Sequence, residues 1–183
     1  MKIPKQAKLV FKGKIFEVHQ WKERMFNGSY EVFEALKRPD TVQIICTQGS
    51  KILIAYEEQP TKLPFYGFFG GRVEKSENPL AAAKRELLEE TGMESSDWEL
   101  LKVFEPISKM EWDIYFYIAR NCNVTTSPKL DSGERIEIQK LNFESFLKLI
   151  DSDKFRSRDI ASDILRMCCN KAKLKAFKNK LFK

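Results

Sequence analysis

The residues best placed to do chemistry are four glutamates. Glu86, Glu89 and Glu90 are spaced i, i+3 and i+4, and Glu77 precedes them in a polar loop that opens with Gly70-Gly71. On a helix this spacing makes the three later side chains neighbours. Like charges so placed cost roughly 0.2–0.5 kcal/mol per pair when nothing bridges them. Helical projection puts Lys84 toward the apolar side and Arg85 only at the margin of the acidic arc. A solvated face is the ordinary meaning of a charge run, but it leaves Glu77, Arg85 and the paired glycines unexplained. A hard divalent cation explains them together. Mg²⁺ takes a few carboxylates, waters and substrate phosphates, and glycines let a main-chain carbonyl approach closely enough to join them.

The element that positions these side chains has well-marked ends. Asn78 serves as N-cap, Pro79 takes the first helical position, and Gly92 suits the left-handed closing residue, so a helix is expected over 79–91. At about 100° per residue, Leu80, Ala81, Leu87 and Leu88 fall on one arc, expected to face the core, with the glutamates opposite.

Gly71, five residues, Glu77, seven residues and then Arg85-Glu86-Leu87-Leu88-Glu89-Glu90-Thr91-Gly92-Met93 resembles the complete signature of the Nudix hydrolases, with every fixed position present. The usual glycine before Glu77 is Ser76. The resemblance implies hydrolysis of a phosphoanhydride in a nucleoside diphosphate linked to another group. It implies Glu86 and Glu90 as the main metal ligands, Glu89 as a further ligand and the Gly70 carbonyl as a main-chain one. Glu77 resembles the loop carboxylate that assists metal binding, and Arg85 the residue that orients the glutamates. The implied cofactor is Mg²⁺, with Mn²⁺ as a substitute.

The rest of the chain is read around that unit. Residues 8–22 read as one strand. Asn27-Gly28 marks a hairpin turn returning through 29–37, and a second hairpin joins 41–46 to 51–57 around Gln48-Gly49-Ser50. A short aromatic segment, 65–69, leads into the glycines. Strands are expected at 98–105, 112–119 and 135–141, an exposed loop over 121–133, and helices at 143–150 and from Ser157 onward. The order suits an α/β (α+β) fold, a Nudix-type α/β/α sandwich with a mixed sheet plus an N-terminal β-hairpin unit. The expected divisions are 1–40 for the N-terminal unit, 41–165 for the hydrolase domain and 166–183 for a basic amphipathic tail.

The N-terminal unit resembles that of the ADP-ribose and ADP-sugar pyrophosphatase branch, where it helps build a homodimer and the nucleoside pocket. The run around Arg135 resembles the same branch and implies Glu134 as a ligand or base, although a second acid of that branch is replaced by Ser132. Glu111 is an alternative base, as is a signature glutamate. Trp21, Tyr30, Phe33, Phe65 and Phe69 are candidates to stack on a base, against the more ordinary reading of strand aromatics as core. Arg38 and Lys62 are candidates to contact phosphate. Other substrates of the same chemistry are a damaged nucleoside triphosphate, a dinucleoside polyphosphate, NADH or an RNA cap.

Composition narrows the classes further. With 43% hydrophobic and 32% charged residues the chain reads as soluble, no apolar run is long enough to span a membrane, and the N-terminus lacks an apolar signal core. Four cysteines without CxxC spacing and a single histidine argue against zinc and fit a reducing cytoplasm. The net charge of +6 is carried by the tail: residues 171–183 hold six lysines, and the remainder balances at 26 basic and 26 acidic residues. A basic tail can contact RNA, but Leu174, Phe177 and Leu181 at helical spacing point first to a helix docked on the body or a partner.

Overall fold

A computed structural model describes residues 1–183. In chain order the elements are β1 (Lys8–Lys12), β2 (Glu17–Arg24), β3 (Tyr30–Lys37), β4 (Thr41–Gln48), β5 (Lys51–Gln59), β6 (Lys62–Gly67), α1 (Pro79–Thr91), β7 (Met93–Glu94) and β8 (Asp97–Phe104). There follow β9 (Met110–Glu111), β10 (Ile114–Arg120), β11 (Asn123–Val124), β12 (Arg135–Leu141), α2 (Phe143–Ile150), α3 (Arg158–Met167) and α4 (Lys171–Leu181). The central sheet runs β12-β5-β4-β10-β8, with β6 also on β5. Its β4–β10 pair is parallel and its other pairs are antiparallel, so the sheet is mixed.

Strand alternation assigns each face its own core. Ile45, Ile52, Ile54, Phe116 and Ile118 pack with Phe146, Ile160, Ile164 and Phe177 from α2, α3 and α4. Val42, Ile44, Leu53, Ala55 and Ala119 pack with Ala82, Ala83 and Leu87 of α1. The period of two along β4 and β5 thus puts one helix on one face and three on the other. This is the α/β/α sandwich, with a separate sheet β1-β2-β3-β9 beside it.

Three local expectations need correction. Residues 8–22 form two strands, because the chain reverses at Gly13, whose N–H bonds the Phe16 carbonyl at 2.8 Å. The 121–133 segment is not wholly loop, since β11 pairs with β7. The buried face of α1 is Ala82, Ala83, Leu87 and Thr91, with Leu80 packed partly buried against the same core, rather than Ala81 and Leu88. Ala82 and Ala83 share this core with Val42 and Ile44 of β4. Lys84 is exposed. The helix ends stand as read: Asn78 accepts the Ala81 N–H at 2.9 Å, and Gly92 closes the helix at φ +68°.

The basic tail is a docked helix. Phe177 and Leu181 are buried, and the Leu181 carbonyl accepts the Thr47 hydroxyl. Beside it the buried Arg120 donates Nε to the Lys180 carbonyl at 2.6 Å and ion-pairs with Asp97 and Glu99. Glu99 also pairs with Lys180 at 2.7 Å, and hydrogen bonds from Lys180 and Arg120 hold its carboxyl down at about 2. Removing the ring in Phe177→Ala leaves a cavity between α4 and α2, an expected cost of about 3–5 kcal/mol. Lys175→Ala, on the exposed side, should stay within about 0.5 kcal/mol. Urea unfolding of the two variants checks the contrast.

Candidate active site

The two glycines shape the floor of a cleft. Gly70 adopts φ +142°, and a Cβ there would collide with the Val42 carbonyl. A Cβ on Gly71 would strike the Glu86 carboxylate. Gly70 therefore excludes a side chain, by its backbone conformation and the approach of β4, whereas a side chain at Gly71 would displace the Glu86 carboxylate. The loop is fastened to β4 by Val42 N–H to Gly71 O at 2.9 Å and Ile44 N–H to Phe69 O at 2.8 Å. Phe69, fully buried, is a core residue rather than a stacking platform.

Arg85 organises the carboxylates. Its Nε and Nη2 take the two oxygens of Glu77 at 3.1 and 3.0 Å. Nη1 takes Glu86 at 2.8 Å and Glu89 at 2.9 Å, and Nη2 also reaches the Arg72 carbonyl at 2.9 Å. The guanidinium thus lies within the acidic group and bridges it, whereas the projection put it at the margin. Its hydrogen bond holds the Glu77 carboxyl below the usual range. Glu90 turns the other way and accepts the Gly70 N–H at 2.8 Å.

The inner carboxylates are uneasy as anions. Burial pushes Glu90 well above the ordinary carboxylate value, against the pull of the Gly70 N–H and reinforced by repulsion from Glu86, Glu134 and Glu57. Glu86 is raised by burial, which outweighs its contact with Arg85. Glu134 is raised by burial and by the charges of Glu57 and Asp131, and Glu57 by burial. Glu86, Glu90 and Glu134 face a cleft of about 420 Å³ that Gly70, Gly71, Glu89, Lys129 and Asp131 also line. The donor set is all hard oxygen, which suits Mg²⁺ or Mn²⁺ and not a soft metal. No three acidic, His or Cys side chains converge on one point; Arg85 holds oxygens of Glu86 and Glu89, and the Gly70 N–H holds one of Glu90.

Of the residues singled out in the sequence, Gly70, Arg85, Glu86, Glu89, Glu90 and Glu134 line this cleft, and Glu77 braces it through Arg85. Glu111 does not: it accepts the Ile3 N–H at 2.6 Å and pairs with Lys37, contacts that hold its carboxyl low despite burial. Trp21 is buried in the N-terminal sheet, 6.1 Å from Phe33, with its Nε1 donating to Glu23. Neither aromatic ring reaches the cleft, nor does the exposed Tyr30. Phe65 is buried beneath Arg156, whose guanidinium lies 3.7 Å from its ring centre. Lys62 bonds Gln59, and Arg38 lines a neighbouring cavity. Sequence reasoning missed Glu57, Asp131 and Lys129. Glu57 closes an apolar run in β5, and only its pairing opposite Ile136 of β12 brings it near Glu134.

Comparison with known proteins agrees with this geometry. Residues 37–163 match the family described as NUDIX domain. An ADP-ribose pyrophosphatase of Bacillus subtilis (strain 168) is 26% identical over 147 residues, 78% of this chain and 80% of that protein. A methanol dehydrogenase activator of Bacillus methanolicus is 25% identical over 145 residues, 77% of this chain and 78% of that protein. A solved structure described as an ADP compounds hydrolase superposes with a TM-score of 0.73 at 22% identity, covering 93% of this chain and 95% of that one. A family match over more than half the chain, on a sheet and helix that carry the whole signature, shows that the chain belongs to the Nudix hydrolases.

Proposed function

We propose that this hydrolase cleaves the pyrophosphate bond of ADP-ribose or an ADP-sugar, releasing AMP and a sugar phosphate. The observation that carries the reading is the enclosed group of Glu86, Glu90 and Glu134 around an open cleft, each carboxyl held above its ordinary value. Similarity to an ADP-ribose pyrophosphatase along most of both chains supports the substrate class.

Glu86, Glu89, Glu90 and the Gly70 carbonyl are the residues that would hold Mg²⁺, or Mn²⁺ in its place. Bound there, such a cation would supply charge neutralisation for the diphosphate and acidify water. Arg85 keeps Glu77, Glu86 and Glu89 in register, so their oxygens are oriented before substrate arrives. Glu134 is the residue we assign to take the proton from the attacking water. Burial raises its proton affinity above that of an ordinary carboxylate, the direction that suits a general base, and it lies in the cleft where Glu111 does not.

The same reading keeps residues 1–40, 41–165 and 166–183 as N-terminal unit, hydrolase domain and C-terminal helix. A homodimer is supported by the apolar side chains that the N-terminal sheet leaves exposed, among them Leu9, Phe11, Tyr30, Val32 and Phe33. No helix is long and apolar enough to cross a membrane, and the four free cysteines suit a cytoplasmic setting.

The test is product analysis with Mg²⁺ and a panel of ADP-ribose, ADP-glucose, NADH, a diadenosine polyphosphate and an oxidised dGTP. AMP from ADP-ribose is the expected product. Glu90→Gln should lower kcat by about 100-fold or more, beyond the loss typical of residues that merely support metal ligands. Turnover of another compound alone would replace the substrate, and undiminished activity of Glu90→Gln would remove the assigned site.

A further inference from the structure

Beside the acidic cleft lies a cavity of about 540 Å³ of opposite character. Three segments wall it: the β1–β2 turn, the β3–β4 connection and the loop after the glycines. They contribute Lys12, Lys14, Lys37, Arg38, Arg72 and Lys75, against only two acids, Glu17 and Glu74. The volume falls in the ordinary range for small-molecule sites. Arg72 and Glu74 line both cavities, so the two are contiguous.

Ion pairing leaves half of this positive charge unanswered. Lys12 pairs with Glu17 at 2.8 Å, Lys37 with Glu111, and Arg72 with Glu74 only at 4.0 Å. Lys14, Arg38 and Lys75 pair with no carboxylate. Arg38 is the most telling of the three. Its guanidinium lies 4.4 Å from the centre of the Trp112 ring and 5.8 Å from that of Phe16, which fixes its plane. Its Nε is buried without a hydrogen-bond partner. A buried donor left unmade costs free energy, and a fixed, planar guanidinium is the donor best matched to a phosphate. Burial and the like charge of Arg72 both weaken its hold on its proton, as befits two cations with no anion between them. The loop is tied to this wall by Val73 N–H to the Asp40 carbonyl at 2.9 Å, so the arrangement is built into the fold.

We propose that this cavity binds a phosphate group carried by the substrate in addition to the diphosphate that is cleaved. The inference rests on the reading under Proposed function and narrows it to nucleoside diphosphate compounds bearing a further phosphate monoester. Arg38 and Arg72 grip that group, with Lys14 and Lys75 at the rim, while the diphosphate crosses at Arg72 into the carboxylate cleft.

The experiment compares matched substrates by kcat/KM: ADP-ribose, ADP-ribose phosphorylated on its adenosine ribose, and ADP-ribose phosphorylated on its distal ribose. One phosphorylated compound should be preferred by about tenfold or more, the low end for hydrogen bonds to charged groups, and which one prevails tells which end of the substrate enters the cavity. Arg38→Gln should bring that ratio toward one. Lys14→Ala, on an exposed turn where folding is not at risk, should lower it by a smaller factor. Equal kcat/KM for all three compounds, with ratios unmoved by either variant, would overturn the proposal and leave the hydrolase reading intact. Stimulation of ADP-ribose hydrolysis by inorganic phosphate would give the cavity to a free anion, which also overturns it. If none of the compounds is hydrolysed, the substrate reading fails, and calorimetric binding decides the cavity: tighter binding of a phosphorylated compound, lost in Arg38→Gln, supports it, and equal binding does not.

Discussion

Mutual repulsion among enclosed carboxylates is the constraint on which the rest of the site depends. Glu86, Glu90, Glu134 and Glu57 sit where burial already disfavours their charge, and each lies in the field of at least one other. One guanidinium, Arg85, relieves part of this by bridging Glu77, Glu86 and Glu89. It does not reach Glu90, which is relieved instead by a main-chain N–H from Gly70, a position where no side chain fits. The glycine pair, the small alanines of α1 and the loop tied to β4 all serve to hold negative charge at one place. Such an arrangement is costly as an empty feature and reasonable as a receiver of cations.

The molecule separates its charges in a way that composition conceals. The net +6 is traceable to the tail, yet the tail's apolar side is spent on docking α4 and its Lys180 on Glu99. The positive charge that faces the carboxylates comes instead from the β1–β2 turn, the β3–β4 connection and Arg72. An acidic and a basic cavity meeting at Arg72 suit a ligand with a polyanionic backbone, cations on one side of it and guanidinium groups on the other.

Features set by neighbours in sequence were legible from the chain alone. Asn78, Pro79 and Gly92 delimit α1 because capping and left-handed closure are local chemistry. The strand expected at 135–141 and the helix expected at 143–150 stand as β12 and α2, and the structure adds Asn142, whose side chain accepts the Ser145 N–H at 2.7 Å. What eluded the sequence depends on long-range packing. The rotation of α1 is decided by which residues β4 admits. The role of Glu57 depends on strand pairing across more than seventy residues of chain. Trp21 and Phe33 remain candidate platforms, against the more ordinary reading as core, until the sheet shows them packed 6.1 Å apart and outside the cleft.

Thermal unfolding against pH, with and without Mg²⁺, addresses the central claim most directly. A carboxyl whose value is raised on folding binds more protons in the folded than in the unfolded state. Its contribution to stability is therefore full below the usual value of 4.5 and is lost as pH rises through the raised value. Glu77 and Glu99, held low by cationic partners, act in the opposite sense, with their stabilisation lost only as pH falls below that usual value. In the window above that usual value the low-held carboxyls are already ionised and the raised group dominates. Without divalent cation the Tm should fall across that window, Mg²⁺ should restore it most at the upper end, and Glu90→Gln should flatten both effects. A Tm that is flat or rises with pH, indifferent to Mg²⁺, would contradict a strained carboxylate site built to receive a cation.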